Sequence, residues 1–253
     1  MKQIFSFTGA KKIVFGSGAL GQLADHIKEL NAKNPLVVID KNLSAVLQEK
    51  VEKILAPAGI KFSIYDKVEP EPPIELADEG AALAQKNKND VVIGIGGGSA
   101  MDTAKAIAVI AANNAKATDF LGLGKVPKPG LPKIMIPTTA GTGSEVTFTA
   151  VFIRKDLKKK EGMNSVHLYP ELALLDPELT LSLPPAPTAQ TGLDALCHAI
   201  ESYTSINSSP MSELVSLQAI ALIAANLRTC VHDGKNLAAR ENMLLGSLYA
   251  VSY

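Results

Sequence analysis

This sequence has few cysteines, no tryptophan and no excess of charge of either sign. Cys197 and Cys230 are its two cysteines among 253 residues. This number excludes a framework of disulfide bonds and favours a reducing, cytoplasmic compartment. Lysine plus arginine and aspartate plus glutamate number 25 each, so no overall basic field indicates nucleic acid or an anionic membrane as a partner. The absence of tryptophan excludes no class of protein.

Long hydrophobic runs are also missing. The first ten residues, MKQIFSFTGA, lack the apolar core of a signal peptide, and we find no run of about 18 apolar residues that indicates a membrane span. We therefore expect a soluble, intracellular protein with no membrane partner. Hydrophobic residues still make up 47% of the chain, which is ample for the core of one large or two small domains.

The first two thirds of the chain alternate between strand-like and helix-like patterns. Short apolar runs such as PLVVID (35–40) and DVVIGIG (90–96) are typical of buried strands, and helical patterns separate them. This alternation predicts a parallel sheet with right-handed crossovers and ligands at the carboxyl ends of its strands. We expect the basic run RKDLKKK (154–160) to form a solvated turn.

The character of the chain changes at the proline-rich stretch SLPPAP (182–187). Prolines favour a linker or a helix start, and beyond them we find helical patterns only, over 188–203, 211–227 and 237–249. We therefore place a domain boundary near Leu183. Residues 1–183 are predicted to form an α/β domain and residues 184–253 the first part of an all-α domain.

The stretch GIGGGSAMD places three glycines, Gly96 to Gly98, between a strand and a helix. Glycine lets the backbone approach a ligand closely, and the helix N-terminus favours a phosphate. The alternative is a tight turn in which Ser99 caps the helix. The pattern is not the complete GxGxxG fingerprint, so both interpretations stay open on this stretch alone.

Two further polar features follow predicted strands. Asp40 ends the strand LVVID, where a carboxylate can bind a ribose or cap the next helix. The loop PTTAGTGSE concentrates the hydroxyl groups of Thr138, Thr139, Thr142 and Ser144. This loop is either a cofactor-binding loop at the carboxyl edge of the sheet or a solvated turn.

The stretch GLDALCHAIESYTS places Asp194 and His198 four residues apart in an apolar helical pattern. This spacing puts a carboxylate and an imidazole on one face, one turn apart. A lone pair of this kind is more often a salt bridge or a cap than half of a metal site. Its apolar surroundings indicate a largely buried helix, in which polar groups require partners.

Taken together, these motifs resemble those of the iron-containing (group III) alcohol dehydrogenase family. The matching segments are FGSGAL (15–20), VVID, GGGSAMDTAKAIA, IMIPTTAGTGSE, ELALLDPELTLSLPP and TGLDALCHAIESYTS. The resemblance implies an N-terminal, Rossmann-like dinucleotide-binding domain, a C-terminal helical domain and an active site in the cleft between them. It also implies hydride transfer between an alcohol and NAD or NADP, which yields an aldehyde or ketone.

The resemblance assigns roles to particular residues. Positions matching family cofactor contacts are Gly97, Gly98, Ser99, Asp102, Thr138, Thr139, Thr142, Lys160, Leu179 and Leu183. Asp40 matches the position that favours NAD over NADP. Asp194 and His198 match the first two metal ligands and would act in catalysis through the metal, which in the family is usually Fe²⁺ held by one Asp and three His. Zinc is the alternative metal.

The sequence also departs from the family pattern. Members of the family are longer, and we expect the two remaining histidine ligands to lie beyond Tyr253, so we interpret the chain as C-terminally truncated. His26, His167 and His232 match no ligand position. The stretch VEPEPP (68–73) replaces a common Asn-Pro turn, which leaves a cofactor contact near the adenine without its usual residue.

Three functions therefore compete. The first is an NAD-dependent, metal-dependent oxidoreductase that interconverts an alcohol and an aldehyde or ketone. The second is a dinucleotide-binding fragment without turnover, because half of the metal site is missing. The third is a zinc enzyme similar to glycerol dehydrogenase. We expect a small alcohol or aldehyde as substrate. Because the resembled family consists mainly of oligomers, we also expect a homo-oligomer that is a dimer or larger.

Overall fold

The computed structural model describes residues 4–251 and shows an α/β unit followed by helices. Its strands are β1 (Ile13–Phe15), β2 (Pro35–Asp40), β3 (Ser63–Val68), β4 (Val91–Gly96), β5 (Gly122–Leu123), β6 (Lys133–Pro137), β7 (Thr149–Arg154), β8 (Lys159–Asn164) and β9 (Leu172–Leu175). Its helices are α1 (Leu23–Glu29), α2 (Ser44–Leu55), α3 (Glu75–Asn87), α4 (Gly98–Asn113), α5 (Pro185–Thr204), α6 (Pro210–His232) and α7 (Leu237–Ala250).

Six strands form one parallel sheet in the order β1-β9-β6-β4-β2-β3. The central strands are apolar throughout because helices cover both faces. Val37 and Ile93 pack into a core with residues of α1 and α2. Val38 and Val92 pack into a second core with residues of α3 and α4. The predicted parallel α/β fold is therefore confirmed.

The sheet has a switch point between its neighbouring strands β2 and β4. From β2 the chain crosses to β3 at one edge, whereas from β4 it crosses to β6 on the other side. Strands that diverge in this way leave a crevice at their carboxyl ends, where open α/β sheets bind ligands. Asp40 and Gly96 meet there, since a Cβ at Gly96 would lie 3.9 Å from the Cβ of Asp40.

A second, three-stranded sheet has the order β5-β8-β7. Its strands β7 and β8 form an antiparallel hairpin in which Arg154 pairs with Lys159. The prediction of a solvated turn for 154–160 is therefore wrong at both ends, and residues 155–158 alone form the turn. The charges are tolerated in strands because they pair with each other: Arg154 contacts Asp156 at 2.6 Å and Glu161 at 3.2 Å.

The helices α5, α6 and α7 pack on each other after the proline-rich link. Proline occupies the first turn of α5, where its missing N–H costs nothing. Ser209 caps α6 and Asn236 caps α7, each accepting a backbone N–H with its side-chain oxygen. His232 is the last residue of α6.

A buried arginine holds the link between the sheet and these helices. Arg240 on α7 is 3% exposed. It donates to the carbonyl of Leu183 at 2.9 Å, the hydroxyl of Thr188 at 2.9 Å and the carbonyl of Gly234 at 3.0 Å. Because one guanidinium donates to three acceptors, these hydrogen bonds fix the backbone of the link in one conformation.

Helix α6 is 23 residues long and apolar enough to cross a membrane by length and composition. Gln218, Asn226 and Arg228 interrupt this helix, so it is not the unbroken run of about 18 apolar residues that we expected to be absent. The core helix of a soluble protein passes the same test, and a single such helix is weak evidence for a membrane protein.

Candidate cofactor and metal site

A cavity of about 450 Å³ opens at the carboxyl ends of the strands, between the sheet and α5. It brings together eight residues selected from the sequence. They are Gly98, Ser99, Asp102, Thr142, Ser144, Lys160, Asp194 and His198. Residues up to a hundred positions apart thus face one space of the size that small-molecule sites have.

The glycine turn and the threonine loop contact each other directly. Gly98 begins α4, and a Cβ there would lie 2.8 Å from Cγ2 of Thr142. A Cβ at Gly97 would lie 3.6 Å from Cγ2 of Thr139. The missing side chain at Gly98 therefore allows the threonine loop to approach. It also leaves the N-terminal N–H groups of a 16-residue helix facing the cavity, where an anion is favoured.

A second cavity of about 290 Å³ contains three more of the predicted cofactor residues, Thr138, Leu179 and Leu183. The Thr138 hydroxyl is buried and has no hydrogen-bond partner among the described residues. A buried hydroxyl without a partner costs free energy unless a ligand or water satisfies it. This orphaned group therefore fits a polar ligand in the second cavity.

Asp40 lies at the crevice and does not cap helix α2, whose N-cap position is Leu43. One carboxylate oxygen, Oδ1, accepts the backbone N–H of Asn42 at 2.8 Å. This local turn fixes the orientation of the carboxylate beside Gly96. The helix-capping alternative is thus not what the structure shows.

Asp102 belongs to a buried polar network behind the cavity wall. Its Oδ1 accepts from the hydroxyl of Ser144 at 2.5 Å and pairs with Nζ of Lys105 at 3.1 Å, while Oδ2 accepts from the N–H of Val151 at 2.9 Å. Lys105 is fully buried and also donates to the carbonyls of Ser144 and Thr149. One ammonium therefore ties α4 to the loop that follows β6 and to β7.

Burial lowers the pKa of Lys105, and the nearby charge of Asp102 opposes this effect. Glu145 is also buried, at 1% exposure, and its Oε1 has no hydrogen-bond partner among the residues described. Burial raises the pKa of Glu145 from 4.5 to about 7, against the opposing effects of a backbone hydrogen bond and of Lys105. A carboxyl group that titrates near neutrality therefore lies beneath the threonine loop.

We expect Glu145→Gln to change how stability depends on pH. The folded-state pKa of Glu145 exceeds its unfolded value, so its stability contribution is complete below pH 4.5 and is lost as pH rises to about 7. This loss amounts to roughly 3 kcal/mol, and glutamine does not titrate. Urea unfolding at pH 5 and pH 8 should thus show a smaller difference for the variant than for the parent. The exposed Glu52→Gln serves as control, and an unchanged pH dependence in Glu145→Gln would refute the expectation.

Asp194 and His198 lie one turn apart on α5, with Oδ1 and Nε2 separated by 3.8 Å. Both side chains reach the cavity, at 46% and 31% exposure, whereas Nδ1 of His198 is buried and has no hydrogen-bond partner among the described residues. A carboxylate oxygen and an imidazole nitrogen form a donor pair that suits Fe²⁺ or Zn²⁺. These two residues therefore fit part of a metal site. Within residues 4–251, no three metal-binding side chains come together to form a fuller one.

Glu71 and Pro72 come from the stretch 68–73, which we expected near the cofactor. Other lining residues escaped the sequence reasoning. They are Thr147, Thr149, Val151, Phe152, Ile153 and Val251. Most of them belong to the unpredicted hairpin or pair with it, so their position depended on a strand that the pattern did not reveal. A better signal existed for Lys105, which interrupts the apolar pattern of α4 three residues after Asp102.

Solved structures of dehydrogenases share this architecture. The structure of a 1,3-propanediol oxidoreductase superposes with a TM-score of 0.94 at 35% identity, covering 98% of this chain and 65% of that one. A sulfoacetaldehyde reductase from Bifidobacterium kashiwanohense, solved in complex with NAD⁺, gives a TM-score of 0.92 at 33% identity, covering 98% and 66%.

The sequence matches two family models in succession. "Iron-containing alcohol dehydrogenase" matches residues 10–177, and "Fe-containing alcohol dehydrogenase family, C-terminal" matches residues 188–253. Long-chain-alcohol dehydrogenase 1 from Geobacillus thermodenitrificans is 44% identical over 93% of this chain and 60% of its own length. The chain therefore belongs to the iron-containing alcohol dehydrogenase family, and it spans about 60% of the length of this relative.

Proposed function

We propose that this protein is an NAD-dependent, metal-dependent oxidoreductase that interconverts an alcohol and an aldehyde or ketone by hydride transfer. The observation that carries the proposal is the single cavity shared by the start of α4, the threonine loop and the Asp194–His198 pair. A phosphate-binding element and a metal-binding pair facing one space are what metal-assisted hydride transfer needs.

The cofactor would lie along the carboxyl edge of the sheet. The N–H groups at Gly98 and Ser99 would bind the pyrophosphate at the positive end of α4. Asp40 would accept hydrogen bonds from a ribose and repel a 2′-phosphate, which favours NAD over NADP. Gly97, Thr138, Thr139, Thr142, Leu179 and Leu183 would line the cofactor, and Asp102 and Lys160 would face its nicotinamide end.

Asp194 and His198 would hold Fe²⁺, with Zn²⁺ as the alternative. A divalent cation there supplies Lewis-acid polarisation of the substrate oxygen. Val151 and Ile153 line the same cavity and would exclude water from the reacting carbon. Because Lys105 and Asp102 fix the loop and β7 on either side, the cavity wall is held in place before ligands bind.

The substrate is proposed as a class only. The names of similar proteins include a long-chain-alcohol dehydrogenase, a sulfoacetaldehyde reductase and a 1,3-propanediol dehydrogenase. We propose a small alcohol or aldehyde as substrate, a homo-oligomer that is a dimer or larger, and a cytoplasmic location. The balanced charge of the chain supports the absence of nucleic-acid and membrane partners.

The test separates binding from turnover. Calorimetry measures NAD⁺ binding, and NADH absorbance follows turnover of short alcohols under anaerobic conditions with added Fe²⁺. We expect both binding and metal-dependent turnover, and the absence of both would refute the proposal.

A second candidate is a dinucleotide-binding chain without turnover. The finding that favours it is that residues 4–251 bring together two metal donors at the cleft rather than three or more. NAD⁺ binding without turnover would support this candidate over the first. A zinc enzyme similar to glycerol dehydrogenase is the third, and metal analysis of the purified protein distinguishes it from an iron enzyme.

A further inference from the structure

An ion pair crosses the mouth of the larger cavity. Glu71 lies on the connection between β3 and α3, and Lys160 lies on β8. Their Oε1 and Nζ atoms are 2.5 Å apart, and both residues line the cavity together with Gly98 and Ser99. Their side chains are 64% and 60% exposed, so the pair is accessible to a ligand that enters.

The backbone fixes Glu71 at this place. Ile74 donates to the carbonyl of Ile153 at 3.2 Å, and Ile153 donates to the carbonyl of Pro72 at 2.9 Å. This short parallel bridge attaches the connection to the edge of β7. Glu71 also has a φ of 54°, a left-handed conformation that is uncommon for residues other than glycine. The backbone that carries Glu71 is therefore fixed beside the cleft by its neighbours.

The other charged groups of the cavity make this ion pair important for the binding of an anionic ligand. Asp102 and Asp194 are its other carboxylates, and Lys105 already pairs with Asp102 from behind the wall. Among the described lining residues, Lys160 is the one lysine or arginine. While Glu71 holds Lys160, the helix N-terminus alone offers positive potential to a negatively charged dinucleotide.

We propose that Glu71 competes with the dinucleotide for Lys160 and thereby sets the affinity for the cofactor. The inference rests on the proposed function, since it requires a dinucleotide in this cleft. A cofactor that approaches Lys160 must separate the pair and tolerate a carboxylate near its own negative charge. Removing the carboxylate charge frees the lysine and removes this repulsion.

The test compares two matched variants of the complete protein. Glu71→Gln keeps the size of the side chain and removes its charge. Glu69→Gln makes the same change two residues away, where Glu69 faces Lys155 at 4.0 Å and does not line the cavity. NADH binding is followed by its fluorescence. We expect Glu71→Gln to bind about 3- to 10-fold more tightly, in line with the small energies of exposed pairs, and Glu69→Gln to change little.

Two readouts distinguish competition from a general structural effect. Binding by Glu71→Gln should weaken more steeply with added salt, because the freed Lys160 then attracts the net negative charge of the dinucleotide. In a Lys160→Met background, Glu71→Gln should lose most of its effect. Unchanged or weaker binding by Glu71→Gln, or equal effects of both glutamine variants, would overturn the proposal. Failure of the unaltered protein to bind NADH would instead refute the proposed function.

Discussion

Replacing Lys105 by methionine is expected to destabilise the folded protein by about 3–5 kcal/mol. Methionine nearly matches the length of lysine but cannot donate hydrogen bonds. It would leave Asp102, which is 14% exposed, without its ammonium partner. It would also leave the carbonyls of Ser144 and Thr149 without this donor. Removing one member of a buried pair is costly because the other charge stays behind.

Equilibrium urea unfolding measures this effect. Lys53→Met is the matched control, since Lys53 on α2 is 71% exposed and pairs with Glu49 on the surface, where an ion pair contributes less than about 1 kcal/mol. Equal stability losses in the two variants would show that the buried network contributes nothing beyond an ordinary surface lysine. A double variant, Lys105→Met with Asp102→Asn, should recover part of the loss.

His198→Ala is expected to reduce metal-dependent turnover by at least about 100-fold, because losing one donor of a pair leaves Asp194 as a lone carboxylate on α5. Metal affinity, measured by titration with Fe²⁺ or Zn²⁺, should fall in parallel. NAD⁺ binding should change far less, because the start of α4 and the threonine loop stay intact. A loss of metal affinity with little change in NAD⁺ binding would identify His198 as a metal ligand rather than as a cofactor contact.

The control for this substitution is His232→Ala. His232 is exposed at the end of α6 and lies outside the cavity. Its removal should leave turnover and metal affinity unchanged. Full activity in His198→Ala would exclude His198 as a ligand, and a matching loss in His232→Ala would point to damage of the helical packing instead.

The parts of the fold that local patterns encode were predictable from the sequence. The apolar run 35–40 became a buried strand, because a strand buried on both faces is apolar throughout. The Ala-rich stretch after the glycines became a helix, because alanine has the highest helix propensity. The glycine turn was also recognisable, since Gly98 stands where no side chain fits beside Thr142. Its position at the carboxyl end of a strand followed from the alternation of strands and helices, whereas the switch point required the strand order.

The remaining features depend on contacts between distant segments. The β7–β8 hairpin carries many lysines, and charge of this kind is typical of a turn until the partner carboxylates are known. The pairing of Glu71 with Lys160 joins residues that are far apart in the chain. No periodicity reports such a contact. The roles assigned to Asp40, Lys160, Asp194 and His198 stay predictions, because they require ligands for their test.

The packing of α5 and α7 against the threonine loop has a consequence for thermal unfolding. Ala140 of this loop and Leu175 of β9 belong to the same apolar cluster as Ala199 of α5 and Leu248 of α7. Buried apolar residues on both sides of Leu183 therefore belong to one core cluster. Two units that share buried apolar surface lose it together, so heating should give a single cooperative transition in which sheet and helices unfold as one.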